Sequence, residues 1–137
     1  MSLELSQLYR LQLNPIGTVQ VAHLPEEVAT YLGCPLGIAY LSSKSLLHIL
    51  KDHPDIALMD LLCLPMMIRE GTWIGDRRNS ACVVYAHPET GRAYKSALKA
   101  TAGGYETYIS TFHKCGDRQR ASLLKRGTIL RNANRRS

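Results

Sequence analysis

The sequence lacks most of what would commit it to a membrane, a metal or a disulfide framework. No apolar run approaches the length of a membrane span, which excludes a helical membrane protein. Its four cysteines, Cys34, Cys63, Cys82 and Cys115, form no CxxC pair, and no His/Cys cluster has zinc spacing. They read as free, mostly buried thiols in a reducing compartment. His53 and His87 each precede a proline and sit in no ligand motif, so neither a metal nor another cofactor is expected. The start, Met1-Ser2-Leu3-Glu4-Leu5, lacks the basic opening and long apolar core of a secretory signal, so a cytoplasmic location is the expectation, with delivery by another route left open. There is no internal repeat, low-complexity segment or linker. With 137 residues, 45% of them apolar and 20% charged, the chain suits one domain with its own core.

Acid is also scarce at one end. From Lys114 to Ser137 eight Lys/Arg stand against a single acid, whereas the other 113 residues hold nine against ten. The whole positive excess is therefore C-terminal. A concentrated positive end suggests a polyanionic partner, nucleic acid being the commonest, with a solubilising tail as the plain alternative.

The most informative stretch is Leu41-Ser42-Ser43-Lys44-Ser45-Leu46-Leu47-His48-Ile49-Leu50-Lys51-Asp52-His53-Pro54. Ser42 or Ser43 caps a helix there, Leu46, Ile49 and Leu50 share one face, and Pro54 ends it. On a helical wheel His48 lies opposite the apolar face with Lys44 one turn before it, while His53 falls back toward the core. An outward imidazole beside a cation can move protons at a phosphate ester. A surface histidine on a solvated face is the plainer reading.

Elsewhere the chain changes period partway. Residues 1–16 show no clear pattern. Residues 17–22 suit a short strand, and 25–33 a helix opened by Pro25 and stopped by Gly33. Residues 37–41 suit a strand, and 56–69 a helical stretch bent at Pro65, with Leu58, Leu61, Leu62 and Ile68 facing the core and Met66 and Met67 as filler. Strands then follow at Trp73-Ile74, at 81–86 and at 92–101, where Tyr94, Ser96, Leu98 and Ala100 alternate with Lys95, Ala97, Lys99 and Thr101. A charged turn at 76–79, a turn at 87–91 and the hairpin turn Ala102-Gly103-Gly104 separate them. Residues 105–114 form the next strand, and residues from 119 continue as a helix or a last strand near 128–130. Residues 132–137 should fray.

Helices first and strands later make an α+β fold, with the helices packed on one face of an antiparallel sheet. In strand 105–114, Tyr108 and Phe112 read as core, which leaves Thr107, Ile109, Thr111 and His113 on the open face. Ile109 also suits the core, and a one-residue slip exchanges the two sets. The open face then carries Lys99, Thr111 and His113 with Lys95 nearby. A histidine, lysines and a hydroxyl suit RNA cleavage: base and acid for the 2′- and 5′-oxygens, and fixed cations and donors for the phosphorane.

Four motifs, Leu41-Ser42-Ser43…Leu47-His48-Ile49…His53-Pro54, Leu64-Pro65-Met66-Met67-Ile68, Tyr94-Lys95…Leu98-Lys99-Ala100 and Thr107-Tyr108-Ile109-Ser110-Thr111-Phe112, together resemble the phage-type branch of the barnase–EndoU–colicin–RelE-like nucleases. The resemblance covers residues 37–130. It implies a nuclease-like domain with an N-terminal extension, 1–36, and a basic tail, 131–137. It also implies a four- or five-stranded antiparallel sheet and a metal-independent RNase of phage or toxin type, leaving a 2′,3′-cyclic phosphate. The family's helix histidine maps to His48, its sheet lysine to Lys99 and its late-strand hydroxyl to Thr111, with Ser110 as the alternative. Lys44, Lys95 and His113 are supporting positions, and His53 is structural. Lys114, Lys125, Arg126 and Arg131 would hold the RNA backbone. A Pro-Asp pair that the family carries after the Leu-Pro helix is replaced here by Glu70-Gly71-Thr72-Trp73-Ile74. The implied partners are RNA, transfer RNA included, and an acidic immunity or antitoxin protein. The competing expectations are a nucleic-acid-binding module without chemistry, such as a phage accessory protein, and a protein-interaction domain.

Overall fold

The computed structural model describes residues 2–77, 79–101, 103 and 106–132. The expected turn at 102–104 falls mostly outside these, as do Arg78, Tyr105 and the expected frayed tail from 133 on.

The N-terminal residues, which show no clear period, form helix α1 (Leu5–Leu13), with Leu8 and Leu11 buried one turn apart. Strand β1 (Thr18–His23) follows. Helix α2 (Glu26–Leu32) starts after Pro25 and stops at Gly33, whose φ of 67° is the left-handed conformation that suits glycine at a helix end. Strand β2 (Ile38–Ser42) runs directly into helix α3 (Ser43–Asp52). Of the two candidate caps, Ser42 is the one used: its hydroxyl accepts from the Ser45 N–H at 3.1 Å. Ser43 is buried instead, donating to the Leu11 carbonyl at 2.7 Å and fastening α3 to α1.

The expected helix over 56–69 divides in two. Leu58–Cys63 is a 3-10 helix, and α4 (Leu64–Glu70) begins with Pro65 in its first turn, where no backbone donor is needed. Met67 is core filler as expected, while Met66 is exposed. Strands β3 (Thr72–Gly75), β4 (Ser80–Ala86), β5 (Ala93–Ala100) and β6 (Thr107–Lys114) follow. Both endings expected after residue 119 occur, as helix α5 (Asp117–Arg126) and strand β7 (Thr128–Arg131).

The fold is α+β, but the sheet is larger than expected. Seven strands run in the order β1-β2-β6-β5-β4-β3-β7. Every pairing is antiparallel except β2 with β6, which is parallel through Ala39–Thr107 and Tyr40–Tyr108. The β3–β6 stretch is the expected meander. The crossover from β6 to β2 adds the N-terminal hairpin, and residues 1–36 give Leu8, Leu11, Val21, Val28 and Leu32 to the same core.

Nor do the helices all share one face. The main cluster gathers residues of α1–α4 with Ala81, Val83, Tyr85, Tyr94, Leu98, Ile109 and Phe112 of the sheet. The alternate residues Ile74, Cys82 and Val84 form a second cluster with Cys115, covered by Leu123 and Leu124 of α5. Helix α5 therefore sits on the opposite, outer face. Its only apolar side chains besides Ala121 are those two leucines, and none of its residues is fully buried.

Within the main cluster, Tyr94 stacks on Phe112 with ring centroids 5.0 Å apart and donates its hydroxyl to Asp60 Oδ1 at 2.6 Å. Asp60 also accepts from the Ala57 N–H at 2.8 Å and lies 3.6 Å from the Arg92 guanidinium. Burial pushes the Asp60 carboxyl up. The Tyr94 and Ala57 donors and the charges of Lys114 and Arg92 outweigh it and hold the group below the usual carboxylate range. Burial first, then the bond to Asp60, pushes the Tyr94 phenol up to about 12, so it stays a donor. A depressed carboxylate contributes stability above its unfolded pKa of about 4 and loses it as pH falls through the folded value. Asp60→Asn is expected to cost about 1–3 kcal/mol near neutrality and to flatten the loss of stability below about pH 4. Urea titrations from neutral to acid pH check this.

Candidate active site

The candidate site arises where β2 stops and β6 continues. Strand β2 ends at Ser42 and the chain turns into α3, while β6 runs on to Lys114. Helix α3 packs along the β6 edge that β2 leaves open. Between them lies a groove of about 240 Å³ lined by His48, Ile49, Asp52 and His53 of the helix side and by Ser110 and Thr111 of the strand.

A β-bulge forms the strand side. Ala97 faces Thr111 and Leu98 faces Ile109, so Ser110 is left without a partner in β5. The extra residue reverses the alternation of β6 midway. Thr107 and Ile109 are buried before the bulge and Phe112 after it. The expected parity therefore holds only for the second half of the strand. Thr111 and His113 lie on the outer face as expected, but Thr107 and Ile109 belong to the core, and Tyr108 is on the outer face.

Both hydroxyls complete the bulge. Ser110 donates to the Ala97 carbonyl at 3.0 Å, and Thr111 Oγ1 accepts from the Ala97 N–H at 3.1 Å. The buried Ser96 hydroxyl donates to the Thr111 carbonyl at 2.7 Å. Ser110 has thereby spent its proton, whereas that of Thr111 remains available to a ligand.

On the helix side, His48 Nδ1 lies 3.3 Å from Asp52 Oδ2, one turn on. A carboxylate only accepts, so the Nδ1–H donates and Nε2 is left for the groove. Asp52 escapes the sequence reading, although its i, i+4 spacing from His48 is the signal that would have found it. His53 is a correction. The wheel turns it toward the core, yet it caps α3 with non-helical backbone and lines the groove, its ring stacked on His113 at 5.1 Å and 29°. His113 Nδ1 lies 2.9 Å from the Lys114 carbonyl, which fixes its proton on that nitrogen.

The lysines are not part of the groove lining. Lys44 is exposed on the first turn of α3. Lys99 is exposed on the outer face opposite Tyr108, on the same face as Thr111 and about two residues, ~6.6 Å, along β5 from Ala97. Lys95 faces His113 across the strand pair, and a second cleft lined by Asp76, Cys82, Arg126 and Thr128 also takes its side chain. Lys114 lies 3.9 Å from Asp55. Lys125 and Arg126 ride on α5. Arg131 is at the far edge of the sheet, in a cleft with His23 and Arg69. The C-terminal cations thus spread along the sheet and do not ring the groove.

Among the described residues, no group of three or more His, Cys, Asp or Glu side chains is placed to hold a metal ion, and no helix is long and apolar enough to cross a membrane. No family model, curated protein or solved structure matches the chain.

Proposed function

We propose that the chain is an endoribonuclease that needs no metal ion and cleaves RNA by transesterification, with transfer RNA among its substrates. The observation that carries this reading is the placement of two imidazoles, His48 and His53, on one groove with the Thr111 hydroxyl. One imidazole takes the proton of the 2′-hydroxyl as that oxygen bonds to phosphorus. The other gives a proton to the 5′-oxygen as its bond to phosphorus breaks, leaving a 2′,3′-cyclic phosphate. His48, oriented through Nδ1 by Asp52, presents Nε2 for one of these transfers. Thr111 donates to a non-bridging oxygen, a role that Ser110 cannot fill with its proton on Ala97. Lys99 and Lys44 balance charge on the incoming strand. An acidic protein inhibitor would cover the same groove and these lysines.

A binding module without chemistry is the second reading. It is favoured by the use of both hydroxyls in repairing the bulge, a structural task that needs no reaction.

Incubation with total RNA in EDTA decides between them. Cleavage with 2′,3′-cyclic phosphate ends supports the nuclease; salt-sensitive binding by folded protein without cleavage supports the module. His48 and Asp52 are 64% and 56% exposed, and an ion pair so open contributes little to stability. Asp52→Asn is therefore expected to leave the melting temperature unchanged while lowering the cleavage rate about tenfold, as loss of an orienting group does. An equal rate in wild type and variant would remove Asp52 from the mechanism.

A further inference from the structure

Among the described residues, the outer face of the sheet is covered by an apolar cluster at one end. The cluster beneath α5 draws on β3, β4, β5 and Cys115 and includes no residue of β1, β2 or β6. At the uncovered end, Tyr40 of β2 and Tyr108 of β6 are register partners, their rings 5.6 Å apart and tilted by 34°. Both are half-buried, neither closed off from solvent. Exposed Lys99 faces Tyr108 from β5, and exposed Gln20 faces Tyr40 from β1. The Tyr108 hydroxyl donates to Glu106 at 3.1 Å, which anchors the outer end of the ring.

This patch continues the groove. Tyr108 lies two residues before Ser110 on β6, and Tyr40 two residues before Ser42, where α3 begins. Two residues of strand span about 6.6 Å. A single strand whose phosphate sits at Thr111 therefore brings a neighbouring base over the tyrosine pair and a neighbouring phosphate within reach of Lys99. Aromatic rings on an open sheet face, with a cation beside them, are what unpaired bases stack on. A duplex keeps its bases stacked on each other and offers none to such a surface.

We propose that Tyr40 and Tyr108, flanked by Lys99, form a stacking platform for one unpaired base of a single-stranded polynucleotide next to the groove. The platform deepens the nuclease reading and rests on it for the direction of the strand. It assigns single-stranded RNA as the substrate form. Lys99 then acts on the flanking phosphate of the stacked nucleotide.

The test uses a strand the protein cannot cut, a fluorescein-labelled 2′-O-methyl RNA decamer, with binding read by anisotropy. Tyr108→Ala and Tyr40→Ala are expected to weaken binding about tenfold or more, and Tyr108→Phe to leave it within about twofold. Lys99→Ala is expected to reduce the slope of log affinity against log salt by about 0.7, the loss of one phosphate contact on a single strand. The matching duplex is expected to bind more weakly than the single strand. Circular dichroism melts confirm that each variant is folded, and Tyr108→Trp, which keeps an aromatic face, restores binding if stacking is the cause. Unchanged affinity in folded Tyr108→Ala and Tyr40→Ala overturns the platform, as does a wild type that prefers the duplex or binds neither form. Because the decamer cannot react, tyrosine-dependent binding without cleavage of natural RNA upholds the platform and sinks the nuclease reading. Cleavage with unaltered KM in the tyrosine variants does the reverse.

Discussion

Replacing His48 by alanine is expected to slow RNA cleavage by about 10²- to 10⁴-fold, the loss that follows removal of a general acid or base. The fold should not notice. His48 is largely exposed, and its ring bonds an equally open aspartate. The helix is held down by the buried side chains of Leu46 and Ile49, which the substitution leaves in place. A melting temperature within about 1 °C of wild type, beside a collapsed single-turnover rate, would tie the loss to chemistry. His53→Ala serves as the companion. It removes the other groove imidazole together with the stack on His113, so its rate should fall comparably and its stability modestly. If His48→Ala cuts RNA at near wild-type rate, the proton-transfer role passes from the helix to His53, and the mechanism argued from the groove fails.

Trp73→Ala should have the largest effect on stability, about 3–5 kcal/mol. Trp73 is fully buried in β3, the strand that joins β4 to β7. Its indole N–H donates to the Ile68 carbonyl at 2.9 Å, near the end of α4. Truncation opens a ring-sized cavity and leaves a carbonyl without its donor at the point where α4 hands the chain to the sheet. Trp73→Phe separates the two costs, since it keeps most of the volume and loses only the hydrogen bond, about 1–3 kcal/mol. Urea denaturation followed by circular dichroism measures both, the indole fluorescence being lost with the residue.

The parts of this fold that the sequence discloses are those where neighbours in the chain are neighbours in space. The α3 pattern around Leu46 and Ile49 and the alternation from Tyr94 to Ala100 both follow from local spacing. Helix α1 escapes because it buries only Leu8 and Leu11, too few to establish a period. The bulge at Ser110 defeats strict alternation, because one extra residue makes Ile109 and Phe112 face the same way. The parallel pairing of Tyr40 with Tyr108 has no local signal, since its partners lie on opposite sides of the α3–β5 segment. At the site, His48 is legible as an outward histidine on an amphipathic helix. His53 is not, because the helix ends before it and the wheel no longer applies.

The parallel pairing also orders events in time. One side of the groove is α3 with His53, and the other is the bulged segment of β6. The two are far apart in sequence, so the loop between them must close before any groove exists. On the ribosome, α3 emerges before β6 and waits for it. An incomplete chain, or one degraded from its C-terminal end into β6, carries His48 and Asp52 on a helix with nothing opposite. On the proposed reading, cleavage of RNA then requires a chain in which β6 has been made and has folded against α3.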